Sequence, residues 1–167
     1  GTSSPDTILH LSDTGATNIK FDTGEGGYAL IGENDGGDVY IQADDGNNSA
    51  NSKIVFQVDD SETMRIDSSG RVGIGNSIPS SFNGGANNLV VGTGSGSEGM
   101  TIYGGGESNI FFADGTSGSD AYIGRIEYSH TVDNMLFYVN NANAMTINSS
   151  GDLTLSGGVD FGGAVNS

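Results

Sequence analysis

The sequence contains neither cysteine nor tryptophan, and it is poor in basic residues. Without Cys, the chain offers no disulfide and no thiolate metal site. Five Lys and Arg stand against 21 Asp and Glu, which gives a formal net charge of −16. Nucleic-acid binding needs clustered Lys and Arg, and anionic membrane surfaces attract the same residues. The composition therefore argues against both kinds of partner.

Long apolar runs and helical patterns are also missing. No apolar run approaches the ~18 residues of a membrane span, and no basic segment followed by an apolar one opens the sequence, so we expect neither a span nor a signal peptide. No stretch longer than two turns has apolar residues at helical spacing. Short alternating apolar runs, separated by Gly, Asn, Asp and Ser, predict an all-β fold instead.

Apolar residues are too scarce for an ordinary core. The sequence is 34% hydrophobic and contains 29 Gly, whereas globular domains are about 45–50% apolar. Gly also loses more backbone entropy on folding than any other residue. Either the chain is largely disordered or it shares a core with other copies of itself. The regular strand pattern favours the shared core.

A repeated cassette is the most informative pattern that is present. Residues 64–74, MRIDSSGRVGI, recur as residues 145–155, MTINSSGDLTL, at an offset of 81. Apolar runs joined by a Ser-Ser-Gly turn are typical of strand–turn–strand units. We therefore predict a first β module at residues 1–75 and a second at residues 89–157. A linker rich in Gly, Pro and Asn at residues 76–88 separates them, and a Gly-rich tail follows at residues 158–167.

The two copies are matched beyond the cassette, but with a shifted offset. Ile19 matches Ile110 at 91 residues, and Ile31 matches Ile123 at 92. The first copy therefore carries about ten extra residues, which we expect within residues 36–53 as a loop or an added hairpin. Because the matched positions are apolar and turn residues, the functional surface is expected where the copies differ.

Each predicted strand is short, and its apolar side is narrow. A thin flat sheet would expose its edges, whereas winding three chains together removes them. A single-chain solenoid is the alternative, but it requires a coil period much shorter than the 81 to 92 residues found here. The predicted fold is therefore an all-β, elongated, intertwined homotrimeric β fibre with two similar modules.

The first cassette and its flanks resemble a motif of bacteriophage tail-fibre and tailspike proteins, particularly those of marine phages. The matching segment is residues 62–79, ETMRIDSSGRVGIGNSIP, in which Arg71 replaces the usual Asn and Asn76 the usual Thr. The resemblance implies a homotrimeric part of a virion tail fibre, joined to other tail proteins. It would attach the virion to a glycan or protein receptor on a bacterial surface. The alternatives are a fragment of a glycan-degrading tailspike and a bacterial surface adhesin.

The same resemblance extends to the C-terminal residue. Many fibres of this kind carry a C-terminal intramolecular chaperone, of the type known from endosialidase tailspikes, which drives trimer assembly and is then cleaved off after a Ser. The resemblance implies maturation by cleavage after Ser167. The alternative is a sequence boundary of another origin.

The residues that could take part in catalysis or bind a metal do not form a recognisable motif. His10 and His130 lack a partner at i+2 or i+4, so we expect surface histidines, although one His per chain can form a three-His site on a trimer axis. The acidic stretches at residues 35–38, 44–45 and 59–62 offer oxygen ligands without the spacing of a calcium loop. We expect no metal site, with calcium as the alternative, and a solvated acidic face.

Aromatic residues supply the candidate contacts. Tyr103 and Tyr128 have no Tyr at the matching positions of the first copy, and Tyr can both stack and hydrogen-bond, so both are predicted receptor contacts. No Ser-His-Asp spacing is present, and no Trp is available to stack on sugar rings, so we expect no enzyme activity. The four Phe residues at matched positions are expected to be core residues: Phe21, Phe56, Phe112 and Phe137.

Overall fold

The all-β prediction is confirmed. A computed structural model describes residues 17–22, 28–33, 36–45 and 47–158, and these contain twelve strands and two short 3₁₀ helices. The chain divides into two compact units, Gly1–Met100 and Thr101–Ser167. No helix in the described part of the chain has the length and apolarity to cross a membrane.

The first unit contains two sheets. Strands β1 (Thr17–Asp22), β2 (Tyr28–Glu33) and β3 (Val39–Asp45) form an antiparallel sheet in chain order. The second sheet has the order β4-β5-β6-β7, in which β6 and β7 are parallel and the other pairs antiparallel. Its strands are β4 (Ile54–Val58), β5 (Ser61–Ile66), β6 (Val72–Ile74) and β7 (Leu89–Val91). A 3₁₀ helix at Pro79–Ser81 lies between β6 and β7.

The second unit contains one antiparallel sheet of five strands in the order β12-β11-β10-β9-β8, so every strand pairs with its neighbour in sequence. Its second 3₁₀ helix, Gly118–Tyr122, connects β8 to β9. The strands are β8 (Glu107–Phe112), β9 (Gly124–Ser129), β10 (Asn134–Val139), β11 (Ala142–Ile147) and β12 (Leu153–Leu155).

The repeat at an offset of 81 is structural as well as sequential. Strands β10 to β12 repeat β4 to β6, and the register shifts after Phe56 in one pair and after Phe137, 81 residues later, in the other. The first hairpin turns at Asp59 and Asp60, with φ of 49° and 59°, and the second at the matching Asn residues, with 51° and 57°. Tight hairpins require positive φ at both central residues, which Asp and Asn tolerate better than most side chains.

The Ser-Ser-Gly turn of each cassette is closed by one side chain. Asp67 accepts hydrogen bonds from the backbone N–H groups of the second and fourth residues after it, at 2.9 and 3.1 Å. Asn148 accepts the same two bonds at 3.0 and 2.9 Å. Gly70 and Gly151 then take φ of 78° and 85°, the left-handed conformation that Gly adopts without strain. One local device therefore sets both turns.

Replacing Asp67 by Asn is expected to remove an acid-sensitive contribution to stability while leaving the turn intact, since Asn148 already closes the same turn. Burial acts to raise the pKa of Asp67, but the N–H groups of Arg71 and Ser69 and the Arg71 guanidinium outweigh it, so this pKa lies below its ordinary value. A lowered folded pKa means that the carboxylate stabilises the fold above its ordinary pKa of about 3.9 and loses this effect as the pH falls through the lowered pKa.

Urea denaturation at several pH values measures this contribution. At pH 7 the Asp67→Asn variant should lose up to about 1 kcal/mol, a small value because the ion pair with Arg71 is partly exposed. The difference between the variant and the wild type should shrink as the pH falls below the ordinary Asp pKa of about 3.9 and through the lowered pKa of Asp67. A difference that stays constant from pH 7 to pH 2 would contradict the assignment.

The extra residues of the first copy form a hairpin with β2, one of the two expected alternatives. Strand β3, Val39–Asp45, lies within the expected range of residues 36–53 and pairs with β2. In the second unit, β9 pairs with β10 instead. Strand β3 therefore pairs with β2 in the position where β10 pairs with β9. The strands of the first copy are thus divided between two sheets.

Apolar side chains are poorly buried in the single chain. Among the residues that the structure describes, the buried hydrophobic side chains are Leu30 and Val90, and the largest fully buried side chain is Pro79. The expected core residues Phe21 and Phe112 are 56% and 57% exposed. These two side chains are therefore not buried among the described residues of the single chain, and their role in a core shared between copies stays a prediction.

Candidate functional site

The five-stranded sheet of the second unit has one apolar face. Since residues directly opposite each other in a sheet point to the same side, the strand register defines rows across that face. Two rows of residues cross all five strands on this face. The first row is entirely apolar, and the second is apolar apart from Ser108 and Tyr128. The first row is Ile110, Ile126, Phe137, Met145 and Leu155; the second is Ser108, Tyr128, Met135, Ile147 and Leu153.

The four-stranded sheet of the first unit has an equivalent face. Two rows cross it, and every member is apolar. The rows are Ile54, Ile66, Val72 and Leu89, and Phe56, Met64, Ile74 and Val91. Six of these eight positions recur on the face of the second unit at the offset of 81. We call the two surfaces the apolar faces; their side chains are exposed or half-buried in the single chain.

An open groove lies at one end of the apolar face of the second unit. Its volume is about 430 Å³, and its walls include Phe112, Ile126, Phe137 and Val139. The side chains of Phe112 and Val139 are 57% and 67% exposed. Exposed apolar surface of this extent is typical of sites where other molecules bind.

The opposite faces of both sheets carry charges that are already paired. On the first unit, Arg65 binds Glu62 through Nε and Nη2, each at 2.5 Å. On the second unit, Arg125 Nε donates to Glu127 Oε2 at 2.9 Å, and its guanidinium lies 3.4 Å from the centre of the Tyr138 ring. Each sheet therefore has one apolar face and one face suited to contact with water.

Tyr103 and Tyr128, the predicted receptor contacts, occupy different environments. Tyr103 is 97% exposed. Tyr128 is half-buried on β9, donates its hydroxyl to Asp133 Oδ1 at 3.2 Å, and packs in a T-shaped arrangement with the His130 ring, the two ring centres being 4.9 Å apart. Burial and the nearby carboxylate of Asp133 raise the pKa of Tyr128. Tyr103 is thus free to contact a ligand, while Tyr128 is held within a polar cluster.

His130 belongs to this cluster, which the sequence did not reveal. Its Nε2 lies 3.0 Å from Ser108 Oγ, and Ser108 also donates to the carbonyl of Ile102 at 3.1 Å. The connection to Ser108 depends on the pairing of β8 with β9, which no local pattern predicts. Because Asp133 bonds to Tyr128 rather than to His130, the group lacks the arrangement of a Ser-His-Asp triad.

Asp44, in one of the acidic stretches, stabilises a turn. The Asp44 carboxylate accepts the backbone N–H groups of Asn48 and Ser49 at 3.0 and 2.8 Å. Within the described ranges, no group of three or more His, Asp or Glu side chains is placed to hold a metal ion. His10 and Ser167, two residues singled out by the sequence, lie outside the described residues.

Comparison of the chain with protein-family models, with curated proteins and with solved structures found no match. Three features of the chain itself remain: two apolar faces exposed in the single chain, opposite faces with paired charges, and a tyrosine that is 97% exposed. Together they indicate surfaces that are available for contact with other molecules.

Proposed function

We propose that this chain is a structural and adhesive segment of a bacteriophage tail fibre, located in the virion, in which three copies assemble into an elongated, intertwined β fibre. The observation that carries the proposal is the pair of matching apolar faces. A sheet with one apolar face needs a second layer against which to bury it. Further copies of the same chain supply that layer for both units at once.

The apolar faces are large enough for a specific interface. With strands about 4.8 Å apart and a rise of about 3.3 Å per residue, the five-stranded face covers roughly 400 Å² in projection and the four-stranded face about 270 Å². Stable interfaces bury about 800 Å² per partner, measured as accessible surface, which exceeds the projected area because side chains protrude. Two faces per copy therefore meet the requirement.

Non-catalytic attachment fits the remaining surface. Tyr103 is fully available for contact, and its ring and hydroxyl suit a glycan or protein receptor. A trimer would present each contact three times, so individually weak contacts combine. The polar cluster of Ser108 and His130 lacks the carboxylate that would activate it as a nucleophile. The resemblance of the first cassette to phage fibres adds the virion context, including neighbouring tail proteins as partners.

Mass photometry tests the assembly. We expect a particle of about 51 kDa, three times the 17.0 kDa of one chain. A stable species at 17.0 kDa across the accessible concentrations would overturn the homotrimer.

Cell binding tests the adhesive function separately. Fluorescently labelled protein should sediment with cells of at least one strain in a panel of bacteria, without releasing reducing sugars from purified surface polysaccharide. Sugar release would favour the tailspike alternative, and the absence of binding to every strain would count against the adhesive proposal.

A further inference from the structure

A polar pocket in the first unit gathers most of the basic residues of the chain. Its volume is about 140 Å³, and it is lined by Lys53, Arg65 and Arg71, three of the five Lys and Arg in the whole sequence. In a chain with a net charge of −16, such a concentration of positive charge is unexpected. The other lining residues are Asn51, Asp67, Ser68, Ser77, Pro79 and Ser80.

The three cations are absent from the second copy of the same fold. Strands β10 to β12 repeat β4 to β6 with the same turns and the same register shift. The basic residues are therefore not needed to build this strand–turn–strand unit. At the offset of 81, the positions of Lys53, Arg65 and Arg71 are occupied by Asn134, Thr146 and Asp152.

The pocket keeps one excess positive charge and unused hydrogen-bond donors. Glu62 neutralises Arg65, and Asp67 neutralises Arg71 through a single bond from Nε at 2.8 Å. Within the described residues, the terminal nitrogens of Arg71 make no hydrogen bond to protein, and Lys53 forms no ion pair within 4.0 Å. Lys53 lies near enough to Glu62 to lower the pKa of that carboxyl, but an arriving anion would still meet its ammonium group and one side of the Arg71 guanidinium fork.

This donor set selects the kind of ligand. A guanidinium fork together with an ammonium group and hydroxyls matches a carboxylate or phosphate, with charge-assisted hydrogen bonds. A volume of 140 Å³ corresponds to roughly five water molecules in the liquid, which is room for a charged group but not for a polysaccharide chain. The body of the ligand must therefore lie outside the pocket.

The pocket also lies on the accessible side of its sheet. Arg65 alternates with Met64 and Ile66 along β5, so it points away from the apolar face of the first unit. A ligand on Arg65 would not compete with copies of the chain packed on that face.

We propose that this pocket binds the charged group, a carboxylate or a phosphate ester, of an acidic saccharide. The choice of a saccharide rests on the proposed function, since an adhesive fibre meets acidic sugars on bacterial surfaces. The negative charge of the rest of the chain repels anions, so binding is confined to this site.

Saturation-transfer NMR titrations of the assembled protein at low salt test the inference, with glucuronate and glucose 6-phosphate as probes and glucose as the neutral control. At least one acidic probe should bind, and Lys53→Gln and Arg71→Gln should each weaken binding at least tenfold. Among the described residues the Lys53 side chain has no hydrogen-bond partner to lose, so its variant tests the site even if Arg71→Gln folds poorly. The matched control is Lys20→Gln, which removes the same charge from β1 and should leave binding unchanged.

Three results would overturn the inference: glucose binding as tightly as the acidic probes, full binding by the Lys53→Gln variant, or inorganic phosphate binding as tightly as glucose 6-phosphate. Its failure is distinguishable from that of the proposed function. If neither acidic probe binds but the protein still attaches to cells, the pocket inference fails alone. If an acidic probe binds as expected but no bacterium is bound, the adhesive function fails and the pocket stands.

Discussion

Replacing Phe112 by Glu is expected to raise the dissociation constant of the proposed trimer at least 30-fold, about 2 kcal/mol, whereas Phe111→Glu should change it less than about threefold. The two residues are neighbours on β8 with side chains 57% and 54% exposed, but they point to opposite faces of the sheet. Phe112 belongs to the apolar face, where association would bury an unpaired carboxylate from each copy. Phe111 lies beside Tyr122 on the other face.

Comparison of Phe112→Glu with Phe111→Glu distinguishes an effect on assembly from an effect on folding. Both variants replace a half-exposed Phe with the same charged residue on the same strand, so a general loss of β structure would affect them alike. Mass photometry over a dilution series gives the two dissociation constants, and far-UV circular dichroism checks the fold. Equal weakening by both variants would show that the apolar face is not the interface, and a larger effect of Phe111→Glu would assign the interface to the opposite face.

The strands and turns of the cassettes could be predicted because short-range chemistry sets them. Apolar alternation, paired Asp or Asn residues at the hairpin turns, and an Asp or Asn closing each Ser-Ser-Gly turn all act within a few residues. The same pattern recurs at the offset of 81, with positive φ values of 78° and 85° at Gly70 and Gly151. Because these determinants act within a few residues, both copies of the cassette show the same pattern.

Pairing between distant strands was less predictable. The sequence matched Ile31 with Ile123, but Ile31 lies opposite Ile19 just as Ile126 lies opposite Ile110, so Ile31 and Ile126 are the equivalent residues. The match was wrong because the connection between β8 and β9 contains a 3₁₀ helix and is longer than that between β1 and β2. A length difference of that kind shifts the register without changing the local pattern.

The sequence pattern also did not predict the parallel pairing of β7 with β6. Residues 89–91 were predicted to begin the second module, and they pair with β6 within the first compact unit. Pro79, almost fully buried, and Asn87, 7% exposed, lie in the predicted linker between these strands. Burial of this kind depends on how the connection packs against its own sheet, and a composition rich in Gly, Pro and Asn does not reveal it.

The candidate functional residues depend still more on distant contacts. Tyr103 could be singled out because it has no Tyr equivalent in the first copy, and it is 97% exposed. The neighbourhood of Tyr128, by contrast, comes from the pairing of β8 with β9, which brings Ser108 to His130. The pocket of the first unit collects three basic residues that are not adjacent in the sequence: Lys53, Arg65 and Arg71. The folding of the strand–turn–strand unit brings them together.

Replacing Arg125 by Met is expected to cost about 2–4 kcal/mol of the free energy of unfolding, the largest single-residue effect on stability that we anticipate. Glu127, 8% exposed, receives the Arg125 Nε bond at 2.9 Å. The same guanidinium stacks 3.4 Å from the Tyr138 ring centre and donates to Asn141 Oδ1 at 3.2 Å. Burial acts to lower the pKa of Arg125, but the hydrogen bond to Glu127 and the charge of that carboxylate contribute to raising the pKa above its ordinary value.

The cost comes from the carboxylate that remains rather than from the arginine that is lost. Removing one member of a buried pair leaves the other charge desolvated without a partner. The double variant Arg125→Met with Glu127→Gln should therefore recover about half or more of the lost stability. Arg125→Lys keeps the charge but not the planar fork that reaches three partners, so it should fall between the wild type and Arg125→Met.

Lys20→Met provides the matched control for a charge removed from an exposed pair. Lys20 lies 2.6 Å from Asp22, but the two side chains are 48% and 38% exposed, so this variant should change the free energy of unfolding by less than about 1 kcal/mol. Urea denaturation of all variants at one chain concentration measures the effects, because the stability of an assembled protein depends on concentration. If Arg125→Met is no more damaging than Lys20→Met, water still reaches Glu127 and the pair does not stabilise the second unit.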